Sequence, residues 1–217
     1  MMATKTRRIL SIALVLLAAG GLVLADTVAN GPITSMDAGK RETGFGDLAA
    51  DALRAAAGAT IAFVPAVSCK PGTIPPGTVA RAQLQGLLQN PGEVWAVSNL
   101  SGAQVQTALN KSLSRLPGTN NGFLQVSGLK VKFSPGGSRN SRVTSVTVGA
   151  AALNPATQYR VVMPLSLAKG GSGYFTIFDA SNMAGSPGTQ SLLDALTAYV
   201  AGKTSLTYPG TGRIVAQ

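Results

Sequence analysis

Two hydrophobic periods are interleaved along this chain without a regular strand–helix–strand alternation, and this pattern restricts its architecture more than any other feature. Phe45, Leu48, Ala49, Ala52 and Leu53 recur at helical spacing, with Thr43 placed as an N-cap and Gly58 as the stop. Ile61–Val67 reads as a buried strand, Ala80–Gln89 as a short helix and Glu93–Leu100 as a further strand. Ser101-Gly102 then introduces a helix over Ala103–Leu116, with Val105, Ala108, Leu109 and Leu113 on one face. Leu124–Phe133, Val143–Val148 and Arg160–Pro164 read as strands, and Ser191–Val200 as a last helix. Such an order predicts a single α+β domain, mixed strands with three to four helices. With Cys69 as its one cysteine the chain has no internal disulfide, so packing must hold it together. The 26 glycines and 12 prolines predict many turns.

Ahead of this body lies a different kind of segment. Lys5, Arg7 and Arg8 precede an uncharged apolar run from Ile9 to Ala25, and Val23-Leu24-Ala25 offers short residues where a signal peptidase reads. Residues 1–25 are therefore expected to be a signal peptide, and the body to be exported to the periplasm or the extracellular space. The competing reading is an uncleaved membrane anchor, but the run is short for a span and Gly20-Gly21 interrupts it. Arg7-Arg8 also resembles a twin-arginine export signal. Residues 26–40 are polar and turn-rich and read as a linker, leaving 41–217 as the folded domain.

The chain has no histidine, and this narrows the chemistry. Ser-His-Asp triads, Cys-His dyads and His-bearing metal centres all need imidazole. A cage of carboxylates alone would use most of the six aspartates and two glutamates. The expectation is no catalytic residues, no metal and no cofactor in this chain. Cys69 beside Lys70 has the neighbouring cation of an activated thiol, yet no base accompanies it. Ser68, Ser166 and Ser172 likewise lack a general base. Trp95 alternates with its neighbours in a strand and reads as core.

Eighteen bases against eight acids give a net charge of +10, which falls to +7 once the three bases of residues 1–25 are removed. Lys40, Arg54, Arg81, Lys111, Arg115 and Lys203 are scattered, without a run of like charge. That reads as a solvated basic surface rather than a patch for phosphates or anionic envelope polymers, and no nucleic-acid partner is expected.

Six motifs in order then resemble one family. They are Glu42-Thr43-x-Phe45-Gly46-x-Leu48-x-Ala50-Asp51-Ala52, Leu100-Ser101-Gly102-x-x-Val105-x-x-Ala108-Leu109, Gly122–Leu129, Tyr159–Val162, Gly170-Gly171-Ser172-Gly173-Tyr174 and Gly212-Arg213-Ile214. Together they resemble the C-terminal, substrate-recognition domain of the 5′-nucleotidase / UDP-sugar hydrolase family over residues 41–214. In that family a separate metallophosphatase domain, rich in His and Asp, performs the hydrolysis, and the resemblance covers none of it. The resemblance implies a nucleotide pocket built from two stacking rings, a ribose-binding Asp and Asn and Arg side chains.

Carried over by position, the loop Asn-Gly-Gly-Gly-Ile-Arg falls on Pro65–Lys70, keeping only the final cation as Lys70. The first ring falls on Pro91, the second on Ser166, the Asp on Ser172 and an opening-helix Arg on Gly44. Phe63, Trp95, Tyr174 and Phe175 are the nearby rings that could take over stacking. Lys70 and the loop Gly170, Gly171, Ser172, Gly173 and Tyr174 remain as ligand-binding candidates, the loop through its backbone N–H groups.

Three roles are expected from this pattern. The first is a non-catalytic interaction or scaffold module with an eroded pocket, partnered by a separately encoded metallophosphatase domain or another envelope protein. The second is a module that still binds a nucleotide, nucleoside or sugar-phosphate. The third is an in-trans subunit of a nucleotide hydrolase, active in nucleotide catabolism.

Overall fold

A computed structural model describes residues 26–217. The signal-peptide expectation for 1–25 lies outside these residues. In chain order the elements are β1 (Val28–Ala29), β2 (Ile33–Thr34), α1 (Gly44–Ala57), β3 (Ile61–Pro65), β4 (Thr73–Ile74), β5 (Gly77–Thr78), α2 (Arg81–Gly86), β6 (Trp95–Ser101) and α3 (Gly102–Leu113). There follow β7 (Leu124–Ser127), β8 (Leu129–Phe133), β9 (Val143–Val148), β10 (Ala151–Ala152), β11 (Gln158–Pro164), α4 (Leu165–Ala168), α5 (Leu192–Ala201), β12 (Ser205–Leu206) and β13 (Ile214–Ala216). Short 3-10 turns occupy Ala66–Ser68, Gly171–Gly173 and Ala180–Asn182. The α+β expectation holds.

A four-stranded sheet in the order β6-β11-β3-β7 lies at the centre, with β11 parallel to β3 and the outer pairs antiparallel. All five residues of β3 are buried, as a strand covered on both faces requires. A second sheet, β10-β9-β8-β13, buries one face only: along β8 Leu129, Val131 and Phe133 point inward while Lys130 and Lys132 point out. Helix α1 packs on β3, β7 and β11 and against α5; α3 packs on both β6 and β9 and so joins the two sheets. Phe45, Phe63, Phe123 and Phe178 are fully buried, each stabilising the fold by about 1.5–3 kcal/mol.

Local signals explain the ends of α1. Thr43 Oγ1 accepts from Gly46 N at 3.2 Å, and Gly58 closes the helix in the left-handed region. Helix α3 starts with a reciprocal cap: Gln104 N donates to Ser101 Oγ at 3.2 Å while Ser101 N donates to Gln104 Oε1 at 2.9 Å.

Two expectations are corrected. Residues 26–40 are not a linker: β1 pairs in parallel with β12 and antiparallel with β5, β2 pairs with β4, and Thr27, Ala29, Ile33 and Ser35 are buried. Two-residue strands leave no periodicity to read, whereas buried Ile33 and Ala29 supply apolar surface that must be covered. Leu124–Phe133 is not one strand either. It breaks at Gly128, where φ is +82° and a Cβ would lie 2.0 Å from the Thr60 carbonyl oxygen. β7 and β8 therefore enter different sheets.

Candidate functional site

The loops singled out from sequence come together at the ends of β3 and β11. β3 runs into Ala66–Ser68, after which Lys70 N donates to Leu87 O at 2.9 Å; the Lys70 side chain is exposed. β11 runs through α4 into Gly170–Tyr174, where Gly170 has φ +88° and a Cβ would lie 2.5 Å from Phe175 Cα. No other residue fits there without displacing backbone, so Gly170 is explained by close approach. Gly171 is similarly tight against the Ser166 carbonyl, at 2.6 Å from an added Cβ. Ser172 sits at φ +55°, a conformation that Asp and Asn also tolerate.

Two cavities meet here. One, of about 370 Å³, is lined by Arg115, Asn120, Gly122, Ser172 and Gly173 among others. The other, of about 450 Å³, is lined by Met36, Val67, Cys69, Pro71 and Gln89 among others. They share Thr119 and Asn121. Gly173 and Ser172 line the first, while Lys70 lines neither and stands between two residues of the second. The sequence candidates thus fall on adjacent hollows rather than in one pocket.

Tyr174 is not available to a ligand. Its ring is fully buried, stacks on Phe178 at 5.1 Å and 6°, and its hydroxyl donates to Gly122 O at 2.7 Å. Burial pushes the phenol far above its ordinary range. Lys111 Nζ lies 5.7 Å from the same ring, a cation–π contact at the rim of the loop. Phe63 is also fully buried, and Trp95 is half-buried. Of the four rings considered for stacking, only Phe175 is open, 73% exposed, and it lines neither cavity. Ser166 is exposed, with its N–H donated to Glu93 Oε1 at 3.0 Å. At Gly44 an added Cβ would lie 2.2 Å from the Tyr208 carbonyl oxygen, so this position has no room for an arginine. Burial pushes the Cys69 thiol up to about 12, leaving it a protonated packing residue.

A charged centre that sequence reading did not single out lies beneath the other end of α1. Arg213 grips Asp51 with two parallel bonds, Nη1–Oδ1 at 2.8 Å and Nη2–Oδ2 at 2.9 Å, and Nη1 also donates to Val126 O at 2.8 Å. Tyr208 and Ser127 donate to the same carboxylate. Burial alone would raise the Asp51 carboxyl, but the hydrogen bonds from Arg213, Ser127 and Tyr208 outweigh it and hold the group below the usual carboxylate range. Glu42 Oε2 accepts from Arg213 N at 2.8 Å and Ile214 N at 2.7 Å, tying the last strand to the start of α1.

Asp47 behaves oppositely. Burial, opposed by Arg213 and aided by nearby Glu42, pushes its carboxyl up to about 9. Arg213 Nε is 3.5 Å away, too long for a good hydrogen bond, and the guanidinium is already committed to Asp51. Asp47 is therefore protonated at neutral pH. A proton held between the two carboxyls also gives the otherwise unpartnered Glu42 Oε1 and Asp47 Oδ1 a hydrogen bond. The signal that could have revealed this centre was in view: Asp47 and Asp51 stand one helical turn apart on an otherwise apolar face.

Among the described residues there is no group of three or more His, Cys, Asp or Glu arranged to hold a metal, and no helix long and apolar enough to cross a membrane. Around Ser172 and Gly173 the cavities offer a ligand the cation of Arg115, hydroxyls and amides.

Comparison with known proteins agrees with this architecture. The trifunctional nucleotide phosphoesterase protein YfkN of Bacillus subtilis (strain 168) is 28% identical over 151 residues, 65% of this chain and 10% of that protein. The solved 5′-nucleotidase precursor from Thermus thermophilus superposes with a TM-score of 0.80 at 26% identity, covering 88% of this chain and 39% of that one. The NAD nucleotidase NadN of Haemophilus influenzae shares the fold, with a TM-score of 0.69 at 14% identity over 89% of this chain and 39% of its own. This chain spans about a tenth of the curated relative and about two fifths of the solved ones. The family model described as 5′-nucleotidase, C-terminal domain, matches residues 23–180. By that match, and by the fold, the chain belongs to the 5′-nucleotidase C-terminal domain family.

Proposed function

We propose that this chain is an exported, non-catalytic member of the family whose nucleotide pocket is eroded and which serves as an interaction or scaffold module, working beside a separately encoded metallophosphatase domain. The observation that carries this reading is where the rings are. Positions that resemblance assigns to stacking are Pro91 and Ser166, the nearby Phe63 and Tyr174 are locked in the core, and Gly44 has no space for a cation. Stacking contributes about 1–3 kcal/mol per base, so a pocket without accessible rings loses most of its grip on a nucleotide. The absence of histidine from the sequence adds support for the non-catalytic part. The exposed Phe175 ring is the kind of side chain that anchors a protein interface.

Calorimetry of the purified protein with adenosine, AMP and a UDP-sugar tests the pocket. No heat at millimolar ligand is expected, and a micromolar affinity for any of them would overturn the reading. Mixing with the metallophosphatase domain then tests the partnership: a stable complex lost on Phe175→Ser is the expected result.

One observation favours a second reading, a module for a phosphate-bearing nucleotide or sugar. Arg115 lines the cavity at Ser172 and Gly173, and Lys111 stands close to Gly173, so two cations flank the loop. Binding of AMP but not adenosine, abolished by Arg115→Gln, would select it.

A further inference from the structure

A cleft of about 640 Å³, larger than either loop cavity, opens on another part of the molecule and shares no lining residue with them. Its walls include Arg54 from α1, Ser127 and Gly128 from the β7–β8 turn, Lys130 from β8, and Asp51 with Arg213. Arg213 is committed to Asp51. Arg54 and Lys130 are not so committed: among the described residues no acidic group pairs with either.

Arg54 is nevertheless held in place. Its Nε donates to Ser127 Oγ at 2.7 Å, and Ser127 Oγ in turn donates to Asp51 Oδ1. One edge of the guanidinium is thus fixed by the charged centre, while its terminal nitrogens have no hydrogen-bond partner among the described residues. Gly128 lets the turn pass close beneath the arginine stem, since a Cβ there would lie 3.0 Å from Arg54 Cδ. Lys130 adds a mobile ammonium from the exposed face of β8.

We propose that this cleft binds the phosphate group of a small solute, with Arg54 as the oriented fork and Lys130 as the second cation. A planar fork matches phosphate oxygens in pairs, and an ammonium supplies a point charge that needs no fixed direction. Because Arg54 is already ordered by Ser127, little of its side-chain freedom is lost on binding. The volume lies within the range of small-molecule sites, roughly 300–1,000 Å³. This site is separate from the loops considered above and does not depend on whether they bind anything.

The test is a ¹⁵N-resolved titration of the purified protein with inorganic phosphate and with pyrophosphate, at constant ionic strength maintained with chloride. Saturable shifts are expected at Thr60, Gly128, Lys130 and Gly149, which line the cleft. Arg54→Gln should weaken binding about tenfold and Lys130→Gln several-fold, while Arg139→Gln leaves it unchanged. Lys130 is exposed on its strand, so its variant keeps the test valid even where Arg54→Gln loosens the fold. No saturable shift for either anion, or equal affinity in both cleft variants, would overturn the proposal. So would shifts centred on Ser172 and Gly173, or sedimentation with phosphatidylglycerol vesicles without any response to the free anions.

Discussion

Around the opening helix, three carboxyl groups and Arg213 sit largely out of water, each assigned to a partner; around Gly170–Tyr174, the comparable space is filled by stacked rings and by backbone. Both regions join segments far apart in sequence. The first does so with charge: Asp51 and Arg213 are 162 residues apart, and Glu42 reaches Arg213 and Ile214 across a similar span. The second does so with shape: Gly122 and Tyr174 meet through one hydroxyl and a ring packed against Phe178. A charged junction depends on every member, because removing one leaves the others buried and unpaired, whereas a packed junction degrades by degrees. The fold is therefore expected to be brittle at its charged end and graded at its loop end.

Breaking the charged end should give the largest effect. Arg213→Ala leaves Asp51 without its two guanidinium donors, while the backbone bonds to Glu42 remain, and is expected to cost about 3–5 kcal/mol in urea unfolding. A loss under about 1 kcal/mol, the range of an exposed ion pair, would show that solvent replaces the guanidinium freely. At the loop end, Gly170→Ala combines a positive φ with overlap of the Phe175 backbone and should cost about 1–3 kcal/mol. Gly149→Ala provides the internal contrast, since Gly149 has positive φ but open space around it, and should cost less than Gly170→Ala.

Sharpening the comparison means refilling the loop. The pair Ser166→Phe with Ser172→Asp supplies one ring and one carboxylate at positions where the family resemblance places them, and Asp is compatible with the left-handed backbone at 172. Adenosine binding should then appear in calorimetry where the parent shows none, gaining about 1–3 kcal/mol from the ring. Continued silence would mean that the loop has shifted away from a base-binding arrangement altogether.

A slope with pH separates the two carboxyl groups of the charged end from each other. Asp47 titrates near 9 in the fold against an ordinary 3.8, so the folded protein holds a proton that the unfolded chain releases. Its contribution to stability is complete below the ordinary carboxylate pKa and is lost as pH rises towards 9. Asp51, held low, contributes in the opposite sense: its stabilisation is present above the ordinary carboxylate pKa and is lost as pH falls. Asp47→Asn should flatten the fall in melting temperature that runs from the ordinary carboxylate pKa up to about 9, while the loss due to Asp51 at lower pH remains, as thermal unfolding across the pH range would reveal.

What the sequence disclosed follows from the physics of each element. Helices α1, α3 and α5 announce themselves because their caps and their apolar stripes are local, as Thr43, Gly58 and the Ser101–Gln104 pair show. The split at Gly128 shows in the sequence only as a change of phase, from Leu124 and Val126 to Leu129, Val131 and Phe133, and the nearby Thr60 carbonyl explains why the chain turns there. β1 and β2 were hidden because their stability lies in partners 38 or more residues away rather than in their own pattern. At the site, the loop positions could be placed from motif order. The burial of Tyr174 could not, since it depends on Phe178 and Gly122 closing over it. Asp51, Ser127 and Arg213 stand in three separate motifs, and beyond the one-turn spacing of Asp47 and Asp51 only the fold shows that they meet.

The pairing of β1 with β12 has a consequence for how the molecule is made. Val28 lies beside Ser205, and Thr27 Oγ1 donates to the carbonyl oxygens of Val200 and Lys203 at 2.8 Å each. These contacts close loops of more than 170 residues, and closures of that length come late and slow a chain's search for its native state. The N-terminal edge therefore cannot be sealed while the polypeptide is still emerging.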